Sequence, residues 1–417
     1  SFVYQNIGIS SYDTNYTVSL TAGDVDNDGD IDLIASNAYP TLTNGQSTST
    51  NKLYLNNGTS TPFTSAGLII DPGNSDTDRS QSGELIDVNN DGYLDYIVGN
   101  TTGSNKVYIN NKTSNPFNGV SSSYIGVNAS EDTTSLSLGD INSDGLVDVI
   151  AASNSTFHHY YLNNGTNSPF QDVTAGIFLL SSNQGNDSIL ADIDKDGDLD
   201  ALFAKDGHNQ LYLNNGASDP FANVQPIEIS TDVGSFESFA VADVDNDGDL
   251  DLLSATFGVN SIYYNQSASE PFIAIRENRI DTTVESTWSI ALADMDNDGD
   301  LDAVHGNQFG PNRIYANNNT AAPFYNAVSA DITTDNHSTY DIAVADMNHD
   351  GFKDVVVANS GRNYLYLSDG AGDLFDNSVG LPIGTVTETE TSWAVDIADI
   401  NQDGHPDVVF GNASAVN

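Results

Sequence analysis

The chain has 417 residues and carries 59 Asp and Glu against 11 Lys and Arg, a formal net charge of −48. That sign excludes a polybasic nucleic-acid or anionic-membrane binder, because phosphate recognition needs clustered cations. With no Cys there are no disulfides or thiolate metal sites; no apolar run approaches the ~20 residues of a membrane span, and 19 Tyr and 17 Phe argue against disorder.

In chain order, the first segment is Phe2–Ile9, whose Phe2 aligns with the Phe of later Pro-Phe pairs (Phe63, Phe117, Phe170). It reads as a fourth strand that closes the last repeat from outside. The motif Asp-x-(Asp/Asn)-x-Asp-Gly then begins at Asp24 and recurs at Asp87, Asp140, Asp192, Asp243, Asp294, Asp346 and Asp399. Successive separations are 63, 53, 52, 51, 51, 52 and 53 residues, so one unit of 51–53 residues fills nearly the whole chain. The longer first interval places an insertion in the Ser/Thr/Asn-rich stretch Thr41–Asn51, as a surface loop.

Each unit keeps one internal order. In the sixth, alternating Ser289–Ala293 leads into the acidic loop Asp294–Asp302, followed by Ala303–Gly306, a turn region and Arg313–Asn317. A loop with Pro323-Phe324 opens a fourth extended segment. The third segment recurs as Leu53-Tyr54-Leu55-Asn56-Asn57-Gly58 and Leu211-Tyr212-Leu213-Asn214-Asn215-Gly216. Period-2 alternation, β-branched and aromatic residues and Asn/Gly turns predict short strands. Four strands per unit of this length predict an all-β fold, an eight-bladed β-propeller of four-stranded blades forming one domain over residues 1–417. The chain stops after Asp407–Phe410, the second strand of the eighth unit. The third strand of that blade is expected from chain beyond Asn417 or from another protein subunit, since a donated strand fills an open edge. A neighbour's donation would be head-to-tail and would grow a filament.

The acidic loops carry the strongest chemical signal. Position 3 is Asp26, Asn89, Asn142, Asp194, Asp245, Asp296, Asn348 and Asn401. Position 5 is Asp28, Asp91, Asp144, Asp196, Asp247, Asp298, Asp350 and Asp403; position 9 is Asp32, Asp95, Asp148, Asp200, Asp251, Asp302, Asp354 and Asp407. With the Asp at position 1, every copy thus presents four oxygen-bearing side chains. Position 6 is always Gly, suiting a sharp turn of backbone around a cation. Position 7 varies (Asp30, Tyr93, Leu146, Asp198, Asp249, Asp300, Phe352, His405), as expected if only its carbonyl binds. Position 8 is mostly apolar (Ile31, Leu94, Val147) and is expected to point into the core. This many hard oxygens favours Ca2+, with about eight structural ions. An EF-hand would need a Glu at position 12, where this chain has Ala35, Val98, Ala151, Phe203, Ser254, His305, Val357 and Phe410. A metal-free Asx turn is the bland alternative, and agreement at five positions in eight copies weighs against it. The loops hold 32 of the 59 acidic residues.

The repeat resembles the FG-GAP/VCBS family, whose Asp-x-Asp-x-Asp-Gly-x-x-Asp loops bind Ca2+ in β-propeller blades. The resemblance covers all eight units. It implies ligation by positions 1, 3, 5 and 9 and by the backbone at position 7, and secreted or surface-exposed proteins in adhesion or glycan handling. Family rings are commonly seven-bladed, and the eight loops here depart from that.

Catalytic residues are not expected: the seven His (His158, His159, His208, His305, His337, His349, His405) are scattered and no cationic cluster is evident. A polysaccharide lyase or other carbohydrate-active enzyme would need a His or Tyr base beside cations. Trp288, Tyr340 and Trp393 each lie six residues before their loop, where Val18, Gln81, Thr134, Asn186 and Glu237 stand in other units. They are candidates for stacking on a glycan, weighed against ordinary packing. Sequons at Asn15, Asn57, Asn111, Asn164, Asn265 and Asn412 permit glycosylation. The expectation is a non-enzymatic, extracellular or cell-surface adhesion, matrix or fibre-forming module whose partners are proteins or glycans, with no nucleic acid and no membrane insertion. A lectin is the alternative.

Overall fold

Each repeat folds as an antiparallel sheet whose strands neighbour one another in chain order. The computed structural model describes residues 16–39, 50–63, 67–70, 79–127, 131–155, 157–179, 185–205, 207–229, 236–272, 276–280, 284–325, 327, 329–332, 337–370, 375, 379–384 and 391–413. The expected strand Phe2–Ile9 and most of the Thr41–Asn51 insertion lie outside the described residues. Sheet 1 runs Tyr16–Gly23, Asp32–Tyr39, Lys52–Tyr54, Leu68–Ile69. Sheets 2, 3, 4 and 7 repeat this order from first strands Arg79–Ile86, Thr133–Gly139, Gly185–Ala191 and Thr339–Ala345. Sheets 5 and 6 start at Phe236–Ala242 and Glu285–Ala293. Sheet 8, among the described residues, is the pair Thr391–Ala398 and Asp407–Ala413. No helix among the described residues is long and apolar enough to cross a membrane.

The chain packs as two compact units. The first comprises residues 1–178, 216–222 and 390–417, and the second residues 179–215 and 223–389. Within each, neighbouring sheets bury their facing side chains together. Val25, Ile34 and Leu53 of sheet 1 meet Tyr96, Tyr108 and Phe117 of sheet 2; Leu33, Tyr54 and Phe63 of sheet 1 meet Ile400 and Val409 of sheet 8. In the second unit Val244, Ile262 and Tyr264 of sheet 5 meet Ala303 and Tyr315 of sheet 6. Each such ring contributes about 2–3 kcal/mol on burial. The third-strand Tyr and the Phe of the Pro-Phe pair are therefore the repeat's anchors. That Phe precedes the fourth strand instead of opening it: Phe117 is buried in a turn, and the strand is the two-residue Ser123–Tyr124.

Two backbone irregularities were invisible to the strand pattern. Every first strand carries a bulge at the same place, where the register skips Val18, Gln81, Thr134, Asn186, Glu237, Trp288, Tyr340 or Trp393. In the second unit, the end of the sheet 5 strand Asp251–Gly258 also pairs with the start of sheet 6, Phe257 with Ser286 and Gly258 with Glu285.

Beside the bulges runs a buried belt of side-chain hydrogen bonds. In the first unit Thr17 Oγ1 donates to Asn37 Oδ1 (2.8 Å), Asn51 Nδ2 to Ser80 Oγ (2.9 Å) and Ser80 Oγ to Asn100 Oδ1 (3.1 Å). The second unit repeats it through Asn260 to Thr287 (2.7 Å), Thr287 to Asn307 (2.7 Å) and Asn312 to Thr339 (2.8 Å). Sheet 3 departs: Ser153 and His158 occupy the amide positions, and Asn105 Nδ2 donates to buried Glu131 instead (3.0 Å), which also accepts from the Tyr161 hydroxyl.

Candidate metal loops

Each acidic loop is a hairpin connection between the first two strands of its sheet, and its own backbone shapes it. In loop 1 the N–H groups of Asp28 and Gly29 donate to the two oxygens of Asp24 (3.1 and 2.9 Å). Asp32 accepts from the N–H of Val25 (3.0 Å) and, from the third strand, of Asn56 (2.8 Å). Loop 6 repeats this with Asp298 and Gly299 on Asp294 (3.1 Å each) and Met295 and Asn317 on Asp302 (2.9 and 2.8 Å). Position 4 is left-handed in all eight loops (Asn27, Asn90, Ser143, Lys195, Asn246, Asn297, His349, Gln402; φ 55–61°). The position 6 Gly is left-handed too, for example Gly92 at φ 87°. Two such residues in one turn curl the carboxylates inward. The core anchor of the loop is position 2, where Val25, Ile193 and Met295 are fully buried. Position 8, expected in the core, is only half-buried at Ile31, Leu94 and Val147; Leu94 borders the core shared by sheets 1 and 2.

The donor sets fit a hard divalent cation. Ligand oxygens of positions 1, 3 and 9 lie within 4.8 Å of one another in Asp24/Asp26/Asp32, Asp192/Asp194/Asp200, Asp243/Asp245/Asp251 and Asp294/Asp296/Asp302. These are the four loops with Asp at position 3; the other four carry Asn89, Asn142, Asn348 and Asn401 there, an amide oxygen in place of a carboxylate. Asp26 Oδ1, Asn89 Oδ1, Asp192 Oδ1 and Asp243 Oδ1 are buried oxygens without a hydrogen-bond partner, which a cation would satisfy. Burial pushes the position 9 carboxyls up, to about 7 at Asp32, Asp95, Asp200 and Asp251 and to about 6 at Asp148, Asp302 and Asp354, against the pull of backbone N–H bonds. Burial, then neighbouring loop carboxylates, raise Asp26 and Asp245 as well. Full ionisation of such a group calls for a positive charge close by. Position 7 side chains turn to other partners: Asp249 pairs with Lys195 (2.6 Å) and Asp300 accepts from Asn246 (2.7 Å).

Those last contacts belong to a second pattern, in which six of the loops are tied to the next one within their unit. Asn27 Nδ2 donates to Gly92 O (3.0 Å), Asn297 Nδ2 to Gly351 O (2.7 Å) and Gln402 Nε2 to Gly29 O (2.5 Å). From the third strand, the first Asn of the Asn-Asn pair reaches the preceding loop: Asn110 Nδ2 to Val25 O (2.8 Å), Asn317 Nδ2 to Val244 O (2.8 Å) and Asn56 Nδ2 to Ile400 O (2.7 Å). The recurrence of Asn at the strand end was the available signal for this role, and it reads from sequence as a turn.

The remaining candidates scatter. His158 and His305 are buried, with Nδ1 bonded to Ser153 N–H and 3.0 Å from Asn260 Nδ2, respectively; His337 stacks on Tyr364. Trp288, Tyr340 and Trp393 are half-buried. Phe257, Trp288 and Tyr340 form a run with ring centroids 5.8 and 5.1 Å apart, while Trp393 pairs with Tyr16 at 5.8 Å. Sequon residues Asn57, Asn111 and Asn164 are exposed, whereas Asn265 is fully buried and donates to Ile193 O, a structural role that leaves no room for a glycan.

Repeated four-stranded sheets, each turning on an Asp-rich loop, define a β-propeller repeat protein. More narrowly, the chain belongs to the FG-GAP-like repeat family, which matches residues 87–151, 140–203, 192–254, 243–305 and 346–410, more than half of it. No curated protein matches the sequence. Among solved structures it is similar to an Agrocybe aegerita lectin, whose structure describes specific recognition of non-reducing terminal N-acetylglucosamine, at 15% identity over 96% of this chain and 97% of that one, TM-score 0.50. BBS1N, in complex with ARL6DN and soaked with lead, is similar at 10% identity over 86% of this chain and 93% of its own, TM-score 0.49. At such identities the likeness to the lectin concerns the fold.

Proposed function

We propose that this chain is a calcium-binding β-propeller that works outside the cell or at its surface as a non-enzymatic interaction module, in adhesion or matrix assembly. The carboxylate triplets within 4.8 Å, recurring on one loop geometry, are the observation that carries the reading. Positions 1, 3, 5 and 9 would hold Ca2+ with their side chains and position 7 with its carbonyl; the ion would supply charge neutralisation to the converging carboxylates. Within the first unit, the bonds from Gln402 to Gly29 and Asn56 to Ile400 join the last loop to the first sheet. An extracellular setting is part of this proposal, since Ca2+ sites of extracellular modules fill at 10⁻⁴–10⁻³ M. The test is thermal unfolding in Ca2+ against a chelator, with bound metal counted by mass spectrometry. Each site held at about 100 times its Kd adds about 2.7 kcal/mol, so chelation should lower the melting temperature by well over ~10 °C, reversibly. Identical melts with and without chelator would refute it.

A further inference from the structure

At the first-strand bulge the repeat keeps its backbone and abandons its sequence. A bulge re-aims its side chain away from the regular alternation and is over-represented next to functional sites. The residue just before it is a hydroxyl in sheets 1, 2, 3, 6, 7 and 8, whereas the bulge residue itself ranges from Val18 through Gln81 to Trp288. Sheets 6 and 7 put aromatic rings there in succession. Trp288 and Tyr340 stand edge to face at 5.1 Å, and Phe257, 43% exposed, extends the run from sheet 5 at 5.8 Å. The run lies six residues from the loops, about 20 Å along the strand.

We propose that Phe257, Trp288 and Tyr340 form a platform that binds neutral glycans, a partner class that refines the interaction-module reading and rests on it. Size decides against a folded protein as the occupant. Fully exposed aromatics present about 150–250 Å² each, so one ring 43% exposed and two half-buried offer far less than the ~800 Å² per partner of a stable protein interface. One or two sugar rings match. A polar group stands next in the chain to Tyr340: Asp341 Oδ1 accepts from the Ser289 hydroxyl (3.0 Å) and the Ile342 N–H (2.9 Å), an acceptor for sugar hydroxyls. Anionic glycans are repelled by the net charge of −48.

The experiment uses the full chain in Ca2+ on an array of neutral and acidic oligosaccharides, then fluorescence titration of the Trp393→Phe variant, in which Trp288 is the sole indole. Neutral glycans should bind and shift the Trp288 emission. Trp288→Ala and Phe257→Ala should each weaken binding at least tenfold with an unchanged Ca2+-dependent melt, and Trp288→Phe should keep part of it. Array silence from a protein with a normal Ca2+-dependent melt overturns the platform and leaves the patch to a protein partner. Binding indifferent to Trp288→Ala, or confined to acidic glycans, overturns it equally. A melt insensitive to chelator would instead strike the calcium reading, whatever the array shows.

Discussion

Replacing Asn110 with alanine would cut the tie between two acidic loops while sparing every candidate ligand. Asn110 is 3% exposed. Its Nδ2 donates to Val25 O of the preceding loop (2.8 Å) and to Leu94 O of its own (2.9 Å), and its Oδ1 accepts from Lys112 N–H (2.8 Å). Its backbone bond to Asp95 (2.7 Å) survives the substitution. Three hydrogen bonds at about 1 kcal/mol each are lost, and one buried and one part-buried carbonyl lose a donor as well, so the cost should be about 3–5 kcal/mol. Asn111→Ala is the control: that side chain is exposed and bonds locally to Asn115 and Asn118, so its loss should cost under ~1 kcal/mol. Urea unfolding at saturating Ca2+ measures both, compared at a shared slope. A calcium titration supplies the second readout, since Asn110→Ala should weaken loops 1 and 2 together. If Asn110→Ala costs no more than Asn111→Ala, the inter-loop bonds are incidental and the reasoning fails.

Asp95→Asn keeps the acceptor geometry but removes one charge, and should lower the bound calcium count by one, whereas Tyr93→Ala, at a position that offers only its carbonyl, should leave the count unchanged in mass spectrometry. Gly92 has φ 87° and nothing within 4 Å of a built Cβ, so Gly92→Ala should cost about 1–2 kcal/mol through conformation alone, and Gly92→Asn less, by urea unfolding. Burial pushes Glu131, which faces Tyr161, His159 and Asn105, up to about 7 from an ordinary 4.5. The folded state then holds its proton more tightly than the unfolded chain, so this group's stabilisation is full below about pH 4.5 and is lost as the pH rises through about 7. Glu131→Gln, measured at saturating Ca2+, should remove that slope; an unchanged pH profile would contradict it.

The loops and the sheet order were legible because both are local and recur: nine residues with fixed oxygens, then Leu-Tyr-Leu-Asn-Asn. What escaped was set by partners a whole repeat away. Asn110 looks like a turn residue until Val25 stands across from it, 85 positions earlier. The bulge at Trp288 leaves no trace in the alternation, since a one-residue slip between Thr287 and Ser289 exists only against the opposing strand. Position 2 proved the buried anchor because Val25 packs into the core shared by sheets 1 and 2, a long-range contact that hydropathy does not encode, whereas Ile31 is only half-covered.

The strand seam between sheets 5 and 6 bears on how fast and how tightly anything could dock there. Main-chain pairing of Phe257 with Ser286 holds two sheets in one amide-exchange block, so their protons should trade with solvent together and slowly. Rings mounted on such a block are ordered before a ligand arrives. The roughly 0.5–1.5 kcal/mol of rotamer entropy that each immobilised side chain costs a flexible site is already met in folding. The seam thus converts ordinary sheet hydrogen bonds into preorganisation.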